Sequence, residues 1–210
     1  MGFFDTIAID VVLLPPPEVA VVALALNKKL IERYGDRSIV LDPSGCLPHV
    51  SLAMRTIPRR VLPSLTASLE RLALAFLPLD LQIQSAVAVT TDSGNVVSGI
   101  NLAKSEPLLI LHRSVMAQVN SAPQEVCTPR DIRADEGEAI AAFTCNYVNG
   151  YAEHSAYDRY SPHITLGHGD VTALDGDAPG AGTARFSTLA ICHLGNHCTC
   201  REVLWQRTVG

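Results

Sequence analysis

Hydrophobic and polar positions divide the chain into short segments of alternating period. Residues 6–14 (TIAIDVVLL) are a nearly unbroken β-branched run closed by Pro15-Pro16-Pro17, which predicts a buried strand. Residues 17–34 switch to a helical pattern, with Pro at the start, Ala and Leu throughout and basic residues late, and Gly35 stands where a helix C-cap belongs. A short strand follows over Leu47–Met54, entered through Pro48, and a second helix over 58–76, with Pro58 near its start and Pro78 just beyond its end. Strands over about 79–90 and 95–103 flank the turn cluster Asp92-Ser93-Gly94-Asn95, and a third helix covers about 106–120. Residues 121–135 are polar, Pro-containing and poorly periodic, which predicts a long loop and makes them the candidate lid or specificity insert. A fourth helix is expected over about 136–152, a strand over Pro162–Gly167 and a Gly/Asp/Ala/Pro loop over 169–183. Two closing strands, 185–194 and 197–208, read as a hairpin joined across Gly195-Asn196.

Helices between strands in each half, with a hairpin at the end, point to an α+β architecture. No linker composition divides the chain, so residues 1–210 read as one bilobed unit. A 48% hydrophobic, 18% charged composition is that of an ordered globular protein. The net charge of −5 supplies no global basic field for a long polyanion, so a small ligand is favoured, or a nucleic acid met by a local basic patch. Six dispersed cysteines do not form a small-scaffold framework, and the apolar content specifies a core for which disulfides are not needed. The first apolar run carries Asp10, follows Asp5, lacks a basic flank and stops at prolines after eight residues. It therefore reads as neither a signal peptide nor a membrane span, and a reducing cytoplasmic location is expected.

One pentapeptide occurs twice. Residues 48–52 are Pro-His-Val-Ser-Leu and residues 162–166 are Pro-His-Ile-Thr-Leu, the second histidine lying 163 − 49 = 114 residues after the first. In a strand, His49 and Ser51 share one face while Val50 and Leu52 take the other, and His163 and Thr165 are related in the same way to Ile164 and Leu166. Two such strands side by side present two imidazoles and two hydroxyls to one volume. Cleavage of a phosphodiester needs a base for the nucleophile and an acid for the leaving oxygen, and histidine serves either role near neutral pH. The hydroxyls are suited to donate to phosphate oxygens. This chemistry calls for no metal and no cofactor.

PHVSL and PHITL resemble the paired signatures of the two-histidine (2H) phosphoesterase superfamily, which includes the RNA 2′,3′-cyclic phosphodiesterases also called 2′-5′ RNA ligases. The resemblance extends over the proline-ended first strand, the stretch Tyr157–Gly167 (YDRYSPHITLG) and the closing hairpin. It implies a bilobed, pseudo-symmetric fold in which two antiparallel-rich sheets flank a central cleft with helices outside. It also implies metal-independent phosphodiester chemistry, with His49 and His163 as the acid–base pair and Ser51 and Thr165 as the phosphate binders. The implied partner is a small nucleotide or an RNA terminus bearing a cyclic phosphate; no membrane and no obligate protein partner is inferred. The resemblance does not say which histidine is the acid, or whether ligation is also catalysed. Hydrolysis of another cyclic or 2′-5′-linked nucleotide or of a small cyclic phosphate, or nucleotide binding without turnover, are the competing readings.

Further candidates for substrate contact are His168, just past the second motif; Arg55, on the face of Ser51 if the strand continues; and Tyr157, Arg159 and Tyr160 ahead of the second motif. The cluster Cys192-His193…His197-Cys198-Thr199-Cys200 lacks zinc-site spacing, and on a hairpin its members alternate between faces, so buried sheet positions are expected there.

Overall fold

A computed structural model describes residues 5–91, 94–174 and 182–210. Asp92 and Ser93 of the expected turn, and residues 175–181 of the expected loop, lie outside the described residues. The elements are β1 (Thr6–Leu14), α1 (Pro17–Tyr34), β2 (Val50–Pro58), α2 (Leu62–Phe76), β3 (Leu79–Thr90), β4 (Val96–Leu102), α3 (Glu106–Ser121), α4 (Ala142–His154), β5 (His163–His168), β6 (Gly182–Phe186), β7 (Thr188–Leu194) and β8 (Cys200–Thr208). None of the described helices is long and apolar enough to cross a membrane.

The strands form one sheet in the order β6-β3-β4-β5-β2-β1-β7-β8, all described pairings being antiparallel. It consists of two four-stranded halves, β2-β1-β7-β8 and β5-β4-β3-β6, that meet where β2 pairs with β5 through Val50 and Ile164. These are the middle residues of the two pentapeptides, and both are fully buried. The expected antiparallel-rich α+β architecture is the one observed, its two halves forming one continuous sheet with the motif strands at the seam.

Each half carries the same irregularity. In β2, Ser51 pairs with Val12 but Ala53 pairs with Val11, so Leu52 is an extra residue. In β5, Thr165 pairs with Gly99 but Gly167 pairs with Ser98, so Leu166 is extra. A bulge frees a carbonyl from the ladder, and a buried free carbonyl needs a donor. His112 of α3 donates from Nδ1 to the Leu52 carbonyl at 2.8 Å, and Asn27 of α1 donates from Nδ2 to the Leu166 carbonyl at 2.7 Å. α3 and α4 pack against β2, and α1 packs against β5. The apolar face of α1, with Val19, Ala23, Leu26 and Leu30 buried, follows the helical period, and burying a leucine such as Leu30 contributes about 2 kcal/mol. Gly35 ends α1 at φ 74°, its N–H donating to the Ile31 carbonyl.

Four expectations are corrected. The fourth helix begins at Ala142, not near 136, because the Asn196 side chain caps it from a distant loop: Oδ1 accepts from the Ala141 N–H and the Thr144 hydroxyl, each at 3.0 Å. The segment 185–194 is not one strand. It is divided at Ser187 into β6, which pairs with β3, and β7, which pairs with β1 and β8. β7 and β8 are joined not by a two-residue turn but through a helical turn over Asn196–Cys198, in which His197 (φ 55°) and Cys198 (φ 58°) are left-handed. Cys192 and Cys200 form a disulfide across this hairpin, although the core gave no reason to expect one.

None of residues 121–135 lines the cleft between the motif strands. Glu125 and Arg133 donate backbone N–H groups to the Thr56 and Leu194 carbonyls, and the Cys127 N–H donates to the Asn149 side chain. Buried Asp131 accepts from the Thr6 hydroxyl and from the Thr128 N–H and hydroxyl. Polar residues there are committed to the first half of the sheet.

Candidate active site

The two motif strands, α4 and the Asn196–Cys198 turn enclose a cleft of about 270 Å³. His49, Ser51, His163 and Thr165 all line it. Both imidazoles are anchored identically: His49 Nδ1 donates to the Leu47 carbonyl at 2.8 Å, and His163 Nδ1 donates to the Ser161 carbonyl at 2.7 Å. With Nδ1 committed to a backbone acceptor two residues back, Nε2 of each ring is the nitrogen left for chemistry. The His49 side chain, only 10% exposed, and the exposed His163 side chain line the same cleft.

Behind the first motif lies Asp10 of β1, fully buried. Its Oδ2 is 2.6 Å from Ser51 Oγ and 3.6 Å from His49 Nε2, and its Oδ1 is buried without a partner among the described residues. Burial pushes the Asp10 carboxyl well above the usual carboxylate range, against the hydrogen bond from Ser51. Burial lowers the His49 ring; the backbone of Leu47 and Cys198 works the other way, and charge on His163 lowers it further. The 3.6 Å contact is thus between groups that burial drives toward their uncharged forms. The second half lacks this acid. Register places Val97 of β4 two residues before Gly99, the partner of Thr165, as Asp10 stands two before Val12, the partner of Ser51.

Of the further sequence candidates, the structure brings His168, Arg159 and Tyr160 to the cleft and leaves Arg55 and Tyr157 out. The reason for Arg55 is the bulge. Past Leu52 the alternation shifts, so Met54 lines the cleft, and Arg55 donates instead to Asn120 Oδ1 (2.7 Å) and the Ala122 carbonyl (3.2 Å). The Tyr157 hydroxyl accepts from Asn120 at 3.0 Å, and its backbone N–H donates to His112 Nε2 at 2.9 Å. Tyr160 stacks on His112 with centroids 3.8 Å apart, fixing the approach to the second motif. Arg159 donates to the Glu153 carbonyl at the cleft wall. His168 lies 3.4 Å from Asp36 and edge-on to His197, 5.7 Å between centroids.

Sequence reasoning missed Asp10, His197 and the aromatic wall of α4. Phe143, Tyr147 and Tyr151 follow one another at four-residue spacing, all line the cleft, and adjacent rings lie 5.4 and 6.0 Å apart. That spacing was visible in the sequence, as was an acid in the middle of an apolar strand. His197 was not: its place depends on the left-handed turn, held by its N–H donating to Thr144 Oγ1 at 2.9 Å. Burial and the neighbouring His168 lower the His197 ring, with Asp36 and Glu138 opposing. His193, by contrast, turns away to the Asp131 carbonyl at 3.0 Å, so the Cys/His cluster does not converge. Among the described residues no group of three or more His, Cys, Asp or Glu side chains is placed to hold a metal. The arrangement offers paired proton transfer, hydroxyl donors for an anion and an aromatic wall for a flat ring.

No protein-family model matches the sequence, and no curated protein is detectably similar to it. Solved structures are similar in shape. TT0787 of Thermus thermophilus is 16% identical, with 96% of this chain and 97% of that one covered, at a TM-score of 0.60. A structure described as a phosphoesterase is 12% identical (96% and 98% covered, TM-score 0.48), and E. coli LigT complexed with NADP+ is 13% identical (98% and 98% covered, TM-score 0.48). At these identities the likeness is one of fold. That fold is shared with TT0787 over 96% of this chain.

Proposed function

We propose that this protein is a metal-independent phosphodiesterase that opens a 2′,3′-cyclic phosphate on a nucleotide or an RNA terminus. The observation that carries the reading is the identical anchoring of His49 and His163, each through Nδ1 to the carbonyl two residues back, with both rings on one cleft. In the reaction one imidazole takes a proton from the attacking water as the new P–O bond forms. The other, protonated, gives its proton to the ribose oxygen as the old P–O bond breaks. Thr165 and Ser51 donate to the non-bridging oxygens as charge builds on them. The Phe143–Tyr147–Tyr151 wall supports a nucleobase as the group attached to the phosphate, since any base presents a flat face for stacking.

The test is hydrolysis of 2′,3′-cyclic nucleotides in EDTA by wild type, His49→Ala and His163→Ala. Turnover that survives the chelator and is lost in both variants supports the reading. A folded wild type that leaves every cyclic nucleotide intact overturns it.

A further inference from the structure

The two motif strands share a bulge and a histidine anchor, but in the first half an acid is buried beneath the motif hydroxyl. Val97 holds the equivalent register position in the second half and Asp10 in the first. Drawn with an ionised carboxylate, Ser51 spends its single proton on Asp10 Oδ2 at 2.6 Å and has none left for a phosphate oxygen. Thr165, with a valine in that place, has no such competitor.

We propose that Asp10 is a neutral carboxylic acid that donates its proton to Ser51 Oγ and so turns the Ser51 hydroxyl toward the phosphate. This rests on the phosphodiesterase reading given above. Asp10 does not reach the substrate; it is a positioning residue that acts through Ser51.

Two observations and one consequence of the phosphodiesterase reading carry it. First, the carboxyl is fully buried and, among the described residues, has no Lys or Arg beside it; the ionisable groups facing it are His49 ahead of β2, Tyr147 and Tyr151 of α4, Tyr160, and Cys198 of the turn. Burial raises the three phenols and the thiol, so they stay neutral, and burial disfavours charge on His49 as well. The strand neighbours across from Asp10 are Met54 and the disulfide-bonded Cys192, neither of which carries charge. An uncompensated carboxylate in such surroundings is costly, and protonation removes that cost. Second, Oδ1 has no partner among the described residues, a defect far worse for a charged oxygen than for a neutral carbonyl. Third, a phosphate held by Ser51 brings negative charge next to Asp10, and like charges raise an acid's affinity for its proton. A carboxylic acid kept neutral so that it can donate a hydrogen bond is an established catalytic device in other enzymes.

The test compares Asp10→Asn, whose amide donates to Ser51 as the acid does, with Asp10→Leu, which cannot. Cyclic-nucleotide turnover by Asp10→Asn is expected to stay within about threefold of wild type at pH 7. In Asp10→Leu, kcat is expected to fall by at least about tenfold with little change in KM, within what a misdirected oxyanion donor costs. In a Ser51→Ala background, Asp10→Leu is expected to cause no further loss. If Asp10→Asn is as impaired as Asp10→Leu while its circular dichroism is native, the carboxylate is required and the proposal fails. Infrared difference spectra of wild type minus Asp10→Asn at pH 7 provide a readout independent of turnover. A carboxylic-acid C=O band supports the proposal even if cyclic nucleotides are not the substrate, and carboxylate bands alone overturn it.

Discussion

Leu52 of β2 and Leu166 of β5 are each the extra residue of a bulge at the same point of the two motif strands, and each gives its carbonyl to a buried side chain from the helix beneath. The bulges decide what shares a face with the catalytic candidates. After His49 and Ser51 the next cleft residue is Met54, and after His163 and Thr165 it is His168, three positions on in both cases.

Asn27 carries more of this than His112. Its amide donates to the Ile39 and Leu166 carbonyls and accepts from the Leu41 N–H, all in buried surroundings. Asn27→Ala leaves two carbonyls and one N–H unmatched, and a loss of about 3 kcal/mol or more is expected in chemical denaturation. A change under about 1 kcal/mol would mean that β5 does not depend on this bond.

The His112 ring, fully buried between the Leu52 carbonyl and Tyr160, is pushed down to about 4 by burial, against its bond to Leu52. The unfolded chain takes up that proton near pH 6.5, and the folded one does not until about 4. The contribution of His112 is therefore complete above pH 6.5 and is lost as pH falls toward 4, at up to about 1.4 kcal/mol per pH unit. Denaturation of wild type and His112→Phe across this range is expected to show the added slope in wild type only.

Asp10 has the opposite sign. Its folded proton affinity is raised, so its contribution is present below the unfolded carboxylate range and declines as pH rises toward the folded value. Asp10→Asn lacks this decline. The variant is expected to gain stability relative to wild type as pH rises above the usual carboxylate range, at up to about 1.4 kcal/mol per unit. A constant difference across that rise would mean that Asp10 ionises normally in the folded protein.

In the cyclic-nucleotide assay, His49→Ala and His163→Ala are each expected to lower kcat by about 10²- to 10⁴-fold, the usual share of a general acid or base. Loss in only one of them would leave a single-histidine mechanism.

Phe143 stands at the outer end of the aromatic wall and is 57% exposed, so its removal leaves the core alone. Phe143→Ala is expected to raise KM for cyclic nucleotides by about tenfold, the lower part of the range for a base–aromatic stack, with kcat and stability little changed. Equal KM values would place the base elsewhere.

Much of the architecture was legible because local signals agreed with one another. β1 and α1 have the boundaries expected from the β-branched run and from Pro17 and Gly35. α4 did not, because its start is capped by Asn196, 55 residues away from Ala141. Arg55 was put on the wrong face because strand alternation assumes an unbroken ladder, and the bulge at Leu52 depends on a pairing with β1 that lies far off in sequence. The polar segment 121–135 looked like a free loop because its partners, Thr56, Asn149 and Leu194, come from three separate elements.

The sequence by itself determined the order of most elements and, through the repeated pentapeptide, the two imidazoles and two hydroxyls on which the functional reading stands. These follow from side-chain period and residue type, which act over a few neighbouring positions. Only the tertiary structure decided that Val50 and Ile164 form the seam, that Asp10 lies under Ser51 while Val97 holds the equivalent register position in β4, and that His197 turns into the cleft. Those relations arise from strand register, bulges and burial, which are set by contacts between residues tens to more than a hundred positions apart, and no local pattern encodes them.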